Sequence, residues 1–408
     1  MVINRGEKIL ILTGSFGEGH QQVAKAIQEA AKIKYQNVET TVVDFMAWAY
    51  PNLFPISHFV YIKGVKTFPQ LYGFFYQKTY QPTYFSKKLN RMFSVGIKKM
   101  LKLLQDEKPT VVVSTYPFSS SIFSKLKECG LTNVPLVTVI TDHTHHSYWL
   151  HPSTDQYIVG SEETKQELIR IGIPADRIAS SGIPIRTKFL RKSNRTELIQ
   201  KYKLKPELPT VLIMGGGEGL IGKAFLVNNV LEAIPQRIQL IILCGNNHKL
   251  RNRLEKSLMD SKHHVVIKGY TDSVEELMAV SDIIVTKPGG VTTSEAIAME
   301  LPMLLIKGLP GQEEDNAKYL IEEGIAVEAN QPSELAAYIE KMLENKEMLE
   351  QMKQRSGNLQ TKKAAFSVLD IIQSRFMKNL IFIDDKPGRP KFKSLRHIAY
   401  AILFNLFQ

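Results

Sequence analysis

The chain has little cysteine, and between Phe45 and Gln105 it carries no acid at all. Two cysteines in 408 residues, Cys129 and Cys244, exclude a disulfide framework and a Cys-based zinc site. No signal-peptide pattern opens the chain, because Ile9–Leu12 reads as a strand, so a cytoplasmic location is expected. The stretch from Phe45 to Ile62 lacks Asp, Glu, Lys and Arg, yet Pro51 and Pro55 break it and Asn52, Ser57 and His58 are polar, which excludes a spanning helix. The glycine loop Gly14-Ser-Phe-Gly17-Glu-Gly19-His20 has no Lys-Ser/Thr closing it, so it is not a Walker A loop, and its glycine order is not the dinucleotide fingerprint. Gly217, Gly219 and Gly222 have fingerprint spacing, but no acid follows a second strand at the right distance, which argues against NAD. An Asp-X-Asp metal motif is also missing.

What is present is a globular composition, 44% hydrophobic and 23% charged, on a chain too long for one core. Short apolar runs alternate with helical patterns and point to two α/β domains of the doubly wound, Rossmann-like kind with a cleft between them and a C-terminal helical segment. Residues 1–185 form the first domain, 186–208 a charged linker, 209–362 the second domain, and 363–408 the C-terminal helices with a basic and then apolar tail.

The acid-free segment is the most unusual in composition. Residues 45–105 hold nine basic residues and fifteen of the 36 aromatics. Trp48, Phe54, Phe59, Tyr61, Lys63, Lys66, Phe74, Phe75, Lys87, Lys88 and Arg91 are its candidate membrane- or acceptor-facing residues. Aromatics and cations without anions suit an anionic membrane interface. Single-stranded nucleic acid also accepts the mixture, but no RNA-binding signature accompanies it, so nucleic acid is not expected. A helical hairpin with an aromatic core and a lysine face is the plainer alternative.

The second unusual stretch is Ile283-Ile-Val-Thr-Lys-Pro-Gly289-Gly290-Val-Thr292-Thr293-Ser-Glu295. It reads as a buried strand, a Gly-Gly turn and a helix from about Thr292, with Glu295 in the first helical turn. Glycines allow close backbone approach, and a helix N-terminus offers N–H groups and partial positive charge to a phosphate. Thr292 and Thr293 add hydroxyl donors, and the Glu295 carboxylate suits a pair of sugar hydroxyls. Gln312, Glu313 and Asn316 follow the next strand, and Gly269-Tyr270 ends a strand where backbone groups suit a base edge. From spacing alone, an ordinary βα turn is an equal reading. Asp142, His143, His145 and His146 lie at a strand end; adjacent His145 and His146 do not readily face one metal, and no metal site is expected.

Five stretches in order carry a resemblance: Ile9-Leu-Ile-Leu-Thr-Gly-Ser-Phe-Gly-Glu-Gly-His20, Val139-Ile-Thr-Asp142, Ser181-Gly-Ile-Pro-Ile185, Thr286-Lys-Pro-Gly-Gly290, and Pro310-Gly-Gln-Glu313 with Asn316. Together they resemble GT-B glycosyltransferases of the monogalactosyldiacylglycerol synthase group, most of all the bacterial processive diacylglycerol β-glucosyltransferases. The resemblance implies a UDP-sugar in the second domain and a diacylglycerol or glycosyl-diacylglycerol acceptor in the first, on the inner face of the cell membrane. Gly289, Gly290 and Thr292 would hold the diphosphate and Glu295 the ribose, with Gln312, Glu313 and Asn316 near the transferred sugar. Gly216, Gly217, Gly269 and Tyr270 would complete the donor site. Gly17 and Gly19 would let the acceptor loop approach the donor phosphates. His20 is the first candidate general base; Asp142 is the second, or the group that orients a histidine. Plant members carry an Asp where Ser15 stands, and its role does not carry over. Inverting transfer without a metal cofactor is expected, with glucose or galactose as the sugar, or GlcNAc moving to another lipid. An epimerase of the same architecture and a non-catalytic UDP-sugar sensor are the rival readings.

Overall fold

A computed structural model describes residues 7–15, 17–52, 68–80, 96–216, 230–359 and 362–377. Candidates Phe54, Phe59, Tyr61, Lys63, Lys66, Lys87, Lys88, Arg91 and Gly217, the Phe75 side chain and the tail after residue 377 lie outside what is described.

The strands β1 (Lys8–Thr13), β2 (Glu39–Asp44), β3 (Val111–Ser114), β4 (Leu136–Val139), β5 (Gln156–Val159) and β6 (Ile178–Ser180) form one sheet in the order β2-β1-β3-β4-β5-β6. A second sheet holds β7 (Thr210–Met214), β8 (Gln239–Leu243), β9 (His264–Lys268), β10 (Ile283–Thr286), β11 (Met303–Ile306) and β12 (Ala326–Ala329) in the order β12-β11-β10-β7-β8-β9. Every pairing is parallel.

The continuous apolar runs follow from burial on both faces. Ile9, Ile11, Val111 and Val113 pack under the helix α1 (Glu18–Lys34), while Leu10, Leu12 and Val112 pack on the other face with Phe45, Met100 and Phe123. Residues in the second sheet alternate the same way, Leu212 and Ile284 on one side and Val211, Ile213 and Ile283 on the other. Each sheet reverses its winding beside its first strand, between β1 and β3 and between β7 and β10. A ligand crevice lies outside the carboxyl ends of strands at such switch points.

One feature differs from the sequence-based expectation, and two others add to it. The helix after β10 begins at Gly290, so Glu295 lies in its second turn rather than its first. Residues 186–208, read as a helix and linker, do contain the helix Arg195–Lys201, and Phe189, Leu198 and Leu204 enter the second domain's core. The helix Ala364–Ile372 returns to the first domain, where Tyr35 donates to the Leu369 carbonyl at 3.1 Å and Lys34 pairs with Asp370.

Candidate active site

Strand ends from both sheets open onto one cavity of about 330 Å³. Gly17, Gly19, His20 and Asp142 line it from the first domain; Gly216, Gly269, Tyr270, Gly289, Gly290, Thr292, Glu295, Gln312 and Glu313 line it from the second. Trp48 and Phe74 are exposed on the surface.

Gly17 caps α1 at φ 111°, a conformation that suits glycine, and this turn places His20 in the first helical turn. His20 Nδ1 lies 3.1 Å from Thr141 Oγ1, and Thr141 donates to Asp142 Oδ2 at 3.3 Å. With its proton committed to Asp142, the Thr141 oxygen accepts from the Nδ1–H of His20. That tautomer leaves the lone pair on Nε2. Burial pushes the His20 pKa down to about 4, against the contact with Thr115, so the ring is neutral at pH 7. Asp142 Oδ1 accepts from Asn316 Nδ2 at 2.9 Å, and burial raises its pKa despite the Asn316 and Thr141 hydrogen bonds.

The two adjacent glycines of the second domain do different things. A Cβ on Gly289 would meet nothing within 4 Å. A Cβ on Gly290 would lie 2.1 Å from the Thr141 carbonyl oxygen and 3.1 Å from Asp142 Oδ1. Gly290 therefore lets the helix Gly290–Ala298 press against the other domain, while Gly289 faces open cavity. The next residue, Val291, is buried in the first domain's core cluster.

The Thr293 hydroxyl donates to the Gly289 and Gly290 carbonyls at 3.0 and 3.2 Å, so of the two threonines it is Thr292 that lines the cavity. Glu295 is buried, and burial lifts its pKa to about 8, with Lys188 and Arg186 opposing the rise and Glu275 adding to it. Glu313 shapes its own loop: Oε1 pairs with Lys287 Nζ at 2.5 Å and Oε2 accepts from Leu309 N at 2.8 Å.

Asn316, expected beside the sugar, is fully buried and outside the cavity lining. It lies one turn into the helix Gln312–Glu322 and ties the domains together. Nδ2 donates to Asp142 Oδ1 and to the Pro288 carbonyl at 2.9 and 3.0 Å, and Oδ1 accepts from His143 N at 2.7 Å. Sequence reasoning missed Arg186, Lys188 and Lys287, three cations of the cavity wall. The first two lay in a segment read as linker, where basic residues just after Gly182-Ile-Pro184 were the available signal.

The histidines after β4 each have a packing role. His143 stacks on Tyr319 at 3.8 Å, His145 meets Tyr80 edge-on, and His146 Nε2 lies 2.9 Å from the Tyr76 carbonyl. Among the described residues no group of three His, Cys, Asp or Glu side chains has metal-binding geometry.

The monogalactosyldiacylglycerol (MGDG) synthase family model matches residues 20–185, and the glycosyltransferase family 28 C-terminal domain model matches residues 210–369. A processive diacylglycerol beta-glucosyltransferase of Bacillus cytotoxicus is 33% identical over 369 residues, covering 90% of this chain and 94% of that relative. The chain belongs to this family. A protein of the same name from Bacillus mycoides is 32% identical at the same coverage. Two solved structures share the fold at low identity. MurG of Acinetobacter baumannii superposes with a TM-score of 0.59 at 14% identity, covering 90% of this chain and 99% of that one. Alr3699/HepE of Anabaena, in complex with UDP and glucose, gives 0.56 at 13%, covering 90% and 100%. The architecture is thus GT-B, the chain is a glycosyltransferase of this family, and the candidate site lies in the cleft between its two sheets.

Proposed function

We propose that the enzyme transfers glucose from UDP-glucose to the hydroxyl of diacylglycerol with inversion. The observation that carries this reading is the apposition of His20, Thr141 and Asp142 with the open glycine wall of Gly289 across one cavity. The relatives' printed name supports the acceptor and the sugar. A superposable GT-B structure holding UDP and glucose is consistent with the donor.

His20 Nε2 takes the proton from the acceptor hydroxyl, whose oxygen attacks the anomeric carbon on the face opposite the diphosphate. The bond from that carbon to the diphosphate oxygen breaks, and its electron pair leaves with UDP. The leaving charge meets the N–H groups at the start of helix Gly290–Ala298 and the ammonium and guanidinium groups of Lys287, Lys188 and Arg186. Asp142 acts through Thr141 to hold the His20 tautomer. Glu295 lines the same wall, where its carboxyl group, held protonated at neutral pH by burial, suits the ribose hydroxyls. In this reading protein cations, rather than a divalent metal, hold the diphosphate.

The acid-free segment, with exposed Trp48 and Phe74, faces an anionic lipid surface on the inner side of the membrane, and a glycosylated product re-enters as acceptor. No helix among the described residues is long and apolar enough to cross a membrane. The test is UDP release with diacylglycerol in anionic vesicles, comparing UDP-glucose, UDP-galactose and UDP-GlcNAc with the lipid products resolved. UDP-glucose should give mono- and then diglucosyl lipid. Release from another donor alone would reassign the sugar, and donor binding without any product would sink the transferase reading.

A further inference from the structure

The helix Pro69–Thr79 belongs by sequence to the acceptor-side segment, yet it packs on the loop that leads into the donor wall. Gly73 is buried against Pro310, where a Cβ would lie 2.6 Å from the Pro310 Cβ. One turn on, the Tyr76 ring covers Gly311, which has φ 113° and on which a Cβ would come within 3.0 Å of the ring. The Tyr76 hydroxyl donates to Asp315 Oδ2 at 2.8 Å and lies 3.0 Å from Thr144 Oγ1, which donates to the same carboxylate oxygen at 2.8 Å. One helix is thereby fastened to both domains, at a turn that continues directly into Gln312 and Glu313. Neither Tyr76 nor Asp315 lines the cavity itself.

The other side of this helix points outward. Phe68, Leu71 and Phe74 are 60%, 54% and 56% exposed. Their spacing of three aligns them along one side, and Lys78 Nζ stands 5.6 Å from the Phe74 ring. Two apolar rings and a leucine, with a lysine beside one ring and in a segment with no acid, match a lipid interface in both polarity and charge.

We propose that helix Pro69–Thr79 is a strut: it carries lipid contact at Phe68, Leu71 and Phe74 to the donor loop through Gly73, Tyr76 and Asp315, so that lipid surface and nucleoside diphosphate raise each other's affinity. This rests on the donor and acceptor reading above and adds the coupling between them. A helix seated by the membrane fixes where the Pro310–Gly311 turn lies, and with it Gln312 and Glu313. Thermodynamic linkage requires the same factor in both directions.

The experiment measures UDP binding with and without phosphatidylglycerol-containing vesicles that lack diacylglycerol, and vesicle binding with and without UDP. The wild-type protein should show one common factor of about fivefold or more in both comparisons. Tyr76→Phe, which keeps the ring on Gly311, and Asp315→Asn should bring that factor toward one while each ligand still binds alone. Leu71→Ser, at an exposed position, should weaken vesicle binding and leave UDP affinity in vesicle-free solution unchanged. A wild-type factor of one, or a factor that survives both Tyr76→Phe and Asp315→Asn, overturns the strut alone. A wild-type protein that binds no UDP under either condition would instead overturn the donor reading on which the strut rests.

Discussion

Replacing Gly290 by alanine separates domain apposition from donor binding. The added methyl would start 2.1 Å from the Thr141 carbonyl oxygen, a contact that neither backbone can accommodate in place. Relief to an ordinary van der Waals distance needs the two walls to part by roughly 1 Å. Displacement on that scale at a reacting centre costs about 100-fold in rate, or about 2.7 kcal/mol of barrier. The helix itself should not suffer, because alanine is the better helix former. Gly289→Ala is the matched control, since its methyl enters open cavity and meets nothing until a ligand arrives. Steady-state kinetics with UDP-glucose and diacylglycerol vesicles, beside calorimetric UDP binding, tell the two apart. Gly290→Ala should lose kcat with UDP affinity held within a few-fold, and Gly289→Ala should lose donor affinity. Turnover of Gly290→Ala within about threefold of wild type would refute the claim that this close packing is the working geometry.

Other outcomes follow from the same site. His20→Gln should lower kcat by about 100-fold to 10,000-fold without abolishing UDP binding, and the wild-type kcat/KM should stay level through neutral pH and fall only as pH approaches 4, where burial places the His20 titration. Thr141→Ser should keep most of the activity lost in Thr141→Val, since only the serine retains the hydroxyl bridge between His20 and Asp142. Glu295 is held near pKa 8 against an ordinary 4.5, so the folded enzyme binds a proton that the unfolded chain has lost, and stability should fall as pH rises through that interval. Melting curves of Glu295→Gln against wild type should therefore diverge in the variant's favour up to about pH 8. Asn316→Leu strands the His143 N–H and removes a donor from Asp142, each buried loss being worth about 1–3 kcal/mol, and should lower both Tm and turnover.

The strands were legible where both faces are buried, because Ile9–Leu12, Val111–Val113 and Ile283–Val285 need no polar alternation. Of the four edge strands, β2 and β9 were legible but β6 and β12 were not. Ile178-Ala-Ser180 and Ala326-Val-Glu-Ala329 are short and mixed in composition, and neither reads as a strand without its neighbour. The pattern from Pro332 to Gln354 reads as one helix, but it divides at Asn345, whose side chain accepts from Met348 N at 2.9 Å and caps the second half. Cavity-lining glycines were readable from loops that follow strands. The interdomain rivet was not: Asn316 meets His143 and Asp142 across more than 170 residues of chain, and only the folded apposition reveals it. For the same reason Arg186 and Lys188 looked like solvated linker charge until Glu295 and the opposite wall were in place.

The most direct test of the account is the stereochemistry of the lipid product made from UDP-α-glucose and diacylglycerol, read from the anomeric proton by NMR. Attack by an acceptor oxygen activated at His20, opposite the diphosphate, predicts a β-glucosyl diacylglycerol. An α-linked product, or free glucose with no glycolipid, would contradict it.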